Sequence, residues 1–146
     1  MITIEPMTID HLDAVFEIET NSFSVPWTYE SLRDEVVKNK TAYYFIAADN
    51  GTVVGYAGIW HVVNEGHITN IAVAEDCRNQ GIGTALVKRL ISFAYEKEMI
   101  GLTLEVRFNN AAAQRLYFKH GFITSGLRKG YYADTKEDAL IMWKDL

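Results

Sequence analysis

The clearest chemical signal in the chain is Arg78-Asn79-Gln80-Gly81-Ile82-Gly83-Thr84, a basic residue and two glycines at the start of an amphipathic helix. Glycine lets a backbone approach a ligand closely, and the N–H groups of a helix's first turn have no partner inside the helix, so they point at an anion. Arg78 adds a fixed positive charge beside them, and a pyrophosphate is the natural guest. Two rival phosphate motifs fail: a dinucleotide fingerprint needs a third glycine where Leu86 stands, and a P-loop needs Gly-Lys-Ser/Thr. The same pattern also serves an ordinary strand-to-helix turn in which glycines ease a bend.

Metal and thiol chemistry find less support. His11, His61, His67 and His120 show no ligand spacing with one another or with Cys77, so no metal site is expected. Cys77 lacks the histidine pattern of a thiol nucleophile. Glu105 sits among alternating Leu102, Leu104 and Val106, which turns it to the opposite face of a strand; a solvated outer face is the plain reading. Tyr117 follows Asn110 by two helical turns and reads equally as a core tyrosine. His67, just ahead of the glycine turn's strand, is a further candidate base, with a sheet histidine as its plain alternative.

These residues need elements to hold them. Ile2–Glu5 alternates as a strand. Thr8 is placed to cap a helix carrying Leu12, Val15, Phe16 and Glu19, and Thr28 to cap a second one with Leu32, Val36 and Val37 on one face. Residues 41–49 read as a strand, Asn50-Gly51 as a type I′ hairpin turn, and Thr52–Val63 and Ile68–Val73 as the next strands. From Gly81 the period turns helical, with Ile82, Leu86, Leu90, Phe93 and Ala94 on one stripe. The strand around Leu104 follows, then a helix from Asn109-Asn110 closed by Gly121, then strands at Phe122–Arg128 and Asp138–Lys144. The order βααβββαβαββ predicts an α/β (α+β) fold: a mostly antiparallel mixed sheet with one central βαβ unit, in a single domain spanning residues 1–146.

The length of 146 residues suits one domain, and the 49% hydrophobic content suits a packed core. The net charge of −5 lies in residues 1–40, where eight acids face three bases, and the remainder balances. No basic stripe is available for a phosphate backbone, so nucleic acid is not an expected partner. The acidic segment reads either as solvated helix faces or as a wall that attracts a cationic acceptor. No apolar run approaches a membrane span and no secretory leader stands at the amino terminus, so no membrane is expected and the cytoplasm is the expected compartment. The sequence does not give an oligomeric state.

Arg-x-x-Gly-x-Gly after a strand and before an amphipathic helix resembles the coenzyme A loop of the GCN5-related N-acetyltransferases, the GNAT family. Leu104 to Phe122 is similar to the second half of that family's core. Phe23 to Trp27 and Arg128 to Met142 resemble its RimI branch, which acetylates the N-terminal alanine of a small-subunit ribosomal protein. The resemblance implies acetyl-CoA as co-substrate and a protein N-terminus as acceptor. It implies that Ile71, Ala72 and Val73 offer backbone groups to the pantetheine arm, in a strand splayed from its neighbour by a bulge. It implies that residues Arg78 to Thr84 hold the pyrophosphate and that Asn110 contacts the cofactor near the thioester. Glu105 would be the general base, Tyr117 the general acid, and Trp27, Tyr131 and Tyr132 the border of the acceptor site. A backbone N–H of Ala72 or Val73 would meet the oxyanion. Gly130 and Ala133 stand where the branch carries asparagine and proline, which implies a looser acceptor loop. A lysine or small-amine acetyltransferase and a non-catalytic acetyl-CoA-binding module share the loop. Glu105 with Tyr117 favours catalysis, and the aromatics favour a peptide.

Overall fold

The computed structural model describes residues 1–146. Its strands are β1 (Ile2–Pro6), β2 (Ala42–Asp49), β3 (Thr52–Val62), β4 (Glu65–Val73), β5 (Gly101–Arg107), β6 (Ile123–Arg128) and β7 (Ala139–Asp145). Its helices are α1 (Leu12–Ser22), α2 (Tyr29–Val37), α3 (Ile82–Glu96) and α4 (Ala111–Lys119). One seven-stranded sheet has the order β1-β2-β3-β4-β5-β7-β6, and only β4 with β5 runs parallel, joined through α3. The expected order of elements and the central βαβ unit are therefore both present.

Local chemistry explains the boundaries. Asn50 and Gly51 both take positive φ, at 51° and 90°, as a type I′ turn demands. Thr28 accepts from the Ser31 N–H to start α2, Asn110 accepts from the Ala113 N–H to start α4, and Gly121 ends α4 at φ 93°. Three details differ from the sequence reading. Thr8 caps a single 3-10 turn, Ile9–His11, rather than α1 itself. Strand β4 begins at Glu65, because the β3–β4 connection turns tightly with Val63 at φ 57°, a conformation that no glycine advertises. Val37 is exposed, so the buried face of α2 centres on Leu32.

The sheet divides two cores. Helix α3 presents Ile82, Leu86, Leu90 and Phe93 to Phe45, Ile59, Leu102, Leu104 and Tyr117 on one face. Helices α1 and α2 pack Leu12, Val15, Ile18 and Leu32 on Tyr44, Ile46, Tyr56 and Ala72 on the other. No helix is long and apolar enough to cross a membrane.

Candidate active site

The site begins with one extra residue. In the β3–β4 ladder Asn70 lies opposite Gly58 and Ile68 opposite Ile59, so Thr69 is a bulge. It reverses the alternation of β4. Ile68 belongs to the α3-side core, whereas Ala72 belongs to the α1-side core. On its other edge β4 pairs with β5 only at Glu65–Gly101, Gly66–Leu102 and His67–Thr103. Past His67 the two strands separate, while β5 stays paired to β7 as far as Arg107. A gap with unpaired main-chain groups opens between β4 and β5.

Alternation decides which groups face it. The Ala74 N–H donates to the Val54 carbonyl at 2.8 Å, so the even-numbered residues after the bulge bond to β3. Ile71 and Val73 therefore face the gap, and Ala72 does not. This corrects the expectation for Ala72, whose N–H is directed at Tyr56 and cannot serve an oxyanion. The Val73 carbonyl accepts from Arg78 Nε at 3.1 Å, which leaves Ile71 N–H, Ile71 C=O and Val73 N–H free.

The glycine turn lies at the end of β4. Asn79 and Gly81 adopt left-handed φ of 62° and 81°. The first main-chain bond of α3 runs from Ala85 N–H to the Gly81 carbonyl, so the N–H groups of Ile82, Gly83 and Thr84 have no main-chain partner. No acid stands in this first turn. Arg78 Nε is tied to Val73 at the end of β4, which fixes the guanidinium between that strand and the turn, and Gln80 and Asn79 are exposed. Asn110 has its carboxamide oxygen bound to the Ala113 N–H, leaving only its NH₂ group for a ligand.

Glu105 stands on the opposite face of β5 from Leu104 and Val106. His67 Nε2 lies 2.9 Å from Glu105 Oε2, and the Tyr131 hydroxyl makes a long 3.5 Å contact to Oε1. The bond from His67 is the main cause that holds the Glu105 carboxyl below its usual range, against opposing burial. An ionised carboxylate accepts only, so His67 carries its proton on Nε2. Sequence reading treated Glu105 and His67 as rival bases; the structure joins them. Trp60 packs edge-on to the His67 ring at 5.8 Å and steadies it.

Tyr117 lies in the α3-side core at 8% exposure, edge-on to Phe122 at 5.7 Å. Burial pushes its hydroxyl pKa up, and neighbouring Tyr132 adds to this, so the hydroxyl stays protonated but gives its proton less readily than a solvated phenol. Tyr117 and Glu105 thus lie on opposite faces of the sheet.

Tyr131 and Tyr132 form a T-shaped pair at 5.1 Å, with burial first among the causes that push Tyr132 up to about 12. Arg107 lies 4.0 Å over the Tyr132 ring and bonds Asp134, Thr135 and Glu137. Gly130 has φ 61°, a conformation that glycine and asparagine both tolerate, and its N–H donates to Asp138 at 2.8 Å. The backbone at Gly130 thus suits either residue, and Arg107 ties the loop through Asp134, Thr135 and Glu137. Opposite, Trp27 is half-buried and Ser24 donates to Asp134, so the α1–α2 and β6–β7 loops meet.

The acidic segment is smaller as a surface than as a count. Glu19 is buried, and half-buried Glu35 accepts from Tyr44, Trp60 and Asn39. Both point inward.

Comparison with known proteins agrees with this geometry. Residues 12–122 match the model of the acetyltransferase (GNAT) family. A Bacillus subtilis protein, provisionally named a ribosomal protein bS18-alanine N-acetyltransferase, is 42% identical over 96% of this chain and 93% of its own. The Escherichia coli ribosomal protein bS18-alanine N-acetyltransferase is 36% identical over 97% and 96%. The crystal structure of an Escherichia coli ribosomal-protein-S18-alanine N-acetyltransferase superposes with a TM-score of 0.92 at 33% identity, covering 99% of this chain and 94% of that one. Ard1 from Thermoplasma volcanium superposes at 0.91 with 28% identity, covering 99% and 97%.

Proposed function

The chain belongs to the GNAT acetyltransferase family, and from that premise we propose that it moves an acetyl group from acetyl-CoA to the N-terminal α-amine of a protein. Alanine of ribosomal protein bS18 is the acceptor that its relatives' names suggest. The observation that carries this reading is the Glu105–His67 pair at the mouth of the β4–β5 gap, faced by Tyr131. A ribosomal acceptor places the reaction in the cytoplasm. The family model ends at residue 122, yet β6 and β7 complete the same sheet, which supports one domain over residues 1–146.

The residues present fit acetyl-CoA. Three free N–H groups, the left-handed Gly81 and the Arg78 guanidinium would hold its pyrophosphate. Ile71 and Val73 would pair with its pantetheine arm as a missing strand, with Asn110 NH₂ nearby. When bound, acetyl-CoA supplies an activated thioester carbonyl. Val73 N–H, free and facing the gap, would stabilise negative charge on that carbonyl oxygen. Glu105 would accept the amine's proton, directly or through one water, and pass it to solvent, while the His67 Nε2–H holds the carboxylate ionised and in place. An α-amine of pKa about 7.7–8.0 needs far less help than a lysine at about 10.4. Tyr117 would donate a hydrogen bond to the departing sulfur. Its raised pKa favours that bond over full transfer of the proton. Trp27, Tyr131 and Tyr132 would border the acceptor's small first side chain.

The test compares thiol release with an Ala-initiated peptide, an N-blocked peptide bearing an internal lysine, and a polyamine. The free Ala terminus should turn over fastest. Faster turnover on either rival would move the acceptor to a side chain or a small amine, and no thiol release with any of them would leave a binding module.

A further inference from the structure

Glu19 is a buried acid that the proposed reaction leaves unused. It is 1% exposed on the inner face of α1. Each polar neighbour of its carboxyl group is a donor. The Tyr56 hydroxyl and Asn70 Nδ2 reach Oε1, the latter at 3.0 Å, and the Trp27 backbone N–H reaches Oε2 at 2.9 Å. One side chain thus joins β3, β4 and the loop between α1 and α2. Desolvating a carboxyl group is costly, and an apolar residue like neighbouring Val15 would fill a helix face at less cost. Core packing alone does not account for an acid here.

The loop it holds has few other anchors. No main-chain hydrogen bond involves residues 24–27, and Pro26 has no N–H to give. The Trp27 N–H is bound to Glu19, and across the site Ser24 is bound to Asp134. At the other end of the network Asn70 immediately precedes gap-facing Ile71. Asn70 Oδ1 is buried without a partner, so the carboxamide is fixed through Nδ2 alone, chiefly by Glu19.

We propose that Glu19 is a positioning residue for the acceptor. Through the Trp27 N–H and Asn70 Nδ2 it sets the distance between the Trp27 wall and the bulged strand, and so decides which N-termini reach the gap. This rests on the acetyltransfer reading of the same site.

The test pairs Glu19→Gln with Tyr56→Phe. Glutamine keeps the volume. With its oxygen retained by Tyr56 and Asn70, its NH₂ faces the Trp27 N–H and cannot accept from it. Amide hydrogen exchange at Trp27 should accelerate at least tenfold and the acceptor-peptide KM should rise at least tenfold, with acetyl-CoA affinity within twofold of wild type. Tyr56→Phe removes a donor from Glu19 without touching the loop. It should lower the thermal midpoint while Trp27 exchange and KM stay within twofold. Should Glu19→Gln fail to fold, Glu19→Asp, which keeps the carboxyl group but shortens its reach, should show the same two effects. Unchanged KM despite faster exchange, or loss of peptide and acetyl-CoA binding together, would overturn the proposal. A wild-type protein inactive on every N-terminal peptide refutes the parent reading instead. The anchor then stands on the Trp27 exchange ratio, supported at tenfold and refuted below twofold.

Discussion

Replacing Glu105 by glutamine should separate base catalysis from every other property of the site. The glutamine carbonyl can still accept from His67 Nε2, so the strand geometry survives while the proton acceptor is lost. At pH 7 the turnover should fall by about 10²–10⁴-fold, the usual contribution of general acid–base catalysis. An α-amine of pKa about 7.7–8.0 is roughly one-eighth neutral at pH 7 and over nine-tenths neutral at pH 9. The variant's rate should therefore climb about sevenfold across that interval and then level off, whereas a lysine acceptor, with a pKa of about 10.4, would keep climbing beyond pH 10. Steady-state thiol release on an Ala-initiated peptide between pH 6.5 and 10.5 reads both features. Stability has its own sign. The folded Glu105 pKa is depressed, so its contribution is present above the unfolded value of about 4.3 and is lost as pH falls through the folded one. Wild type should exceed the variant in thermal midpoint at pH 7, with the difference closing on acidification. A variant within threefold of wild-type turnover at pH 7 would refute Glu105 as the base.

Tyr117→Phe should lower turnover by about 10²-fold or more with acetyl-CoA affinity unchanged by calorimetry. Because burial is the main cause that raises the Tyr117 pKa and no protein hydrogen bond holds its hydroxyl, the variant's thermal midpoint should stay level or rise; a large drop in stability would assign the hydroxyl a structural role. Gly83→Val should fold, since a Cβ there meets only Leu116 Cδ2 at an ordinary 3.4 Å. It should weaken acetyl-CoA binding at least tenfold, about 1.4 kcal/mol, and unchanged affinity would remove the turn from the site.

What the sequence made legible follows local rules. Asn50-Gly51, Thr28, Asn110 and Gly121 each act within four residues of themselves, and the stripe from Ile82 to Ala94 needs only a helical period. Glu105 was placed on the correct face by the alternation of its neighbours. Charge counting did less well, because it treats every acid as surface. Glu19 and Glu35 each turn inward onto neutral donors, and Tyr56 and Asn70 for the first and Trp60 for the second lie at separations of 37, 51 and 25 residues, outside any local window. The signal available was Glu19's own position, on the same helical stripe as Leu12 and Val15. An acid on an apolar stripe predicts a buried network.

The rest of the site depends on register, which a single inserted residue controls. Thr69 has nothing in its type that marks a bulge, yet its insertion decides that Ile71 and Val73, and not Ala72, turn their main chain toward the gap. The pairing of His67 with Glu105 depends on where the parallel register between β4 and β5 stops. His67 is opposite Thr103 at the last pair, so Glu105, on the same face as Thr103 and two residues further along, is the first acid beyond the closed ladder. Had the ladder continued, main-chain bonds would fill the gap and a carboxylate there would face a sealed sheet. Ending it after three pairs leaves Glu105, His67 and two unpaired strand residues around one opening. The proposed catalytic arrangement is therefore a property of strand pairing, and a residue list can name its members without revealing that they meet.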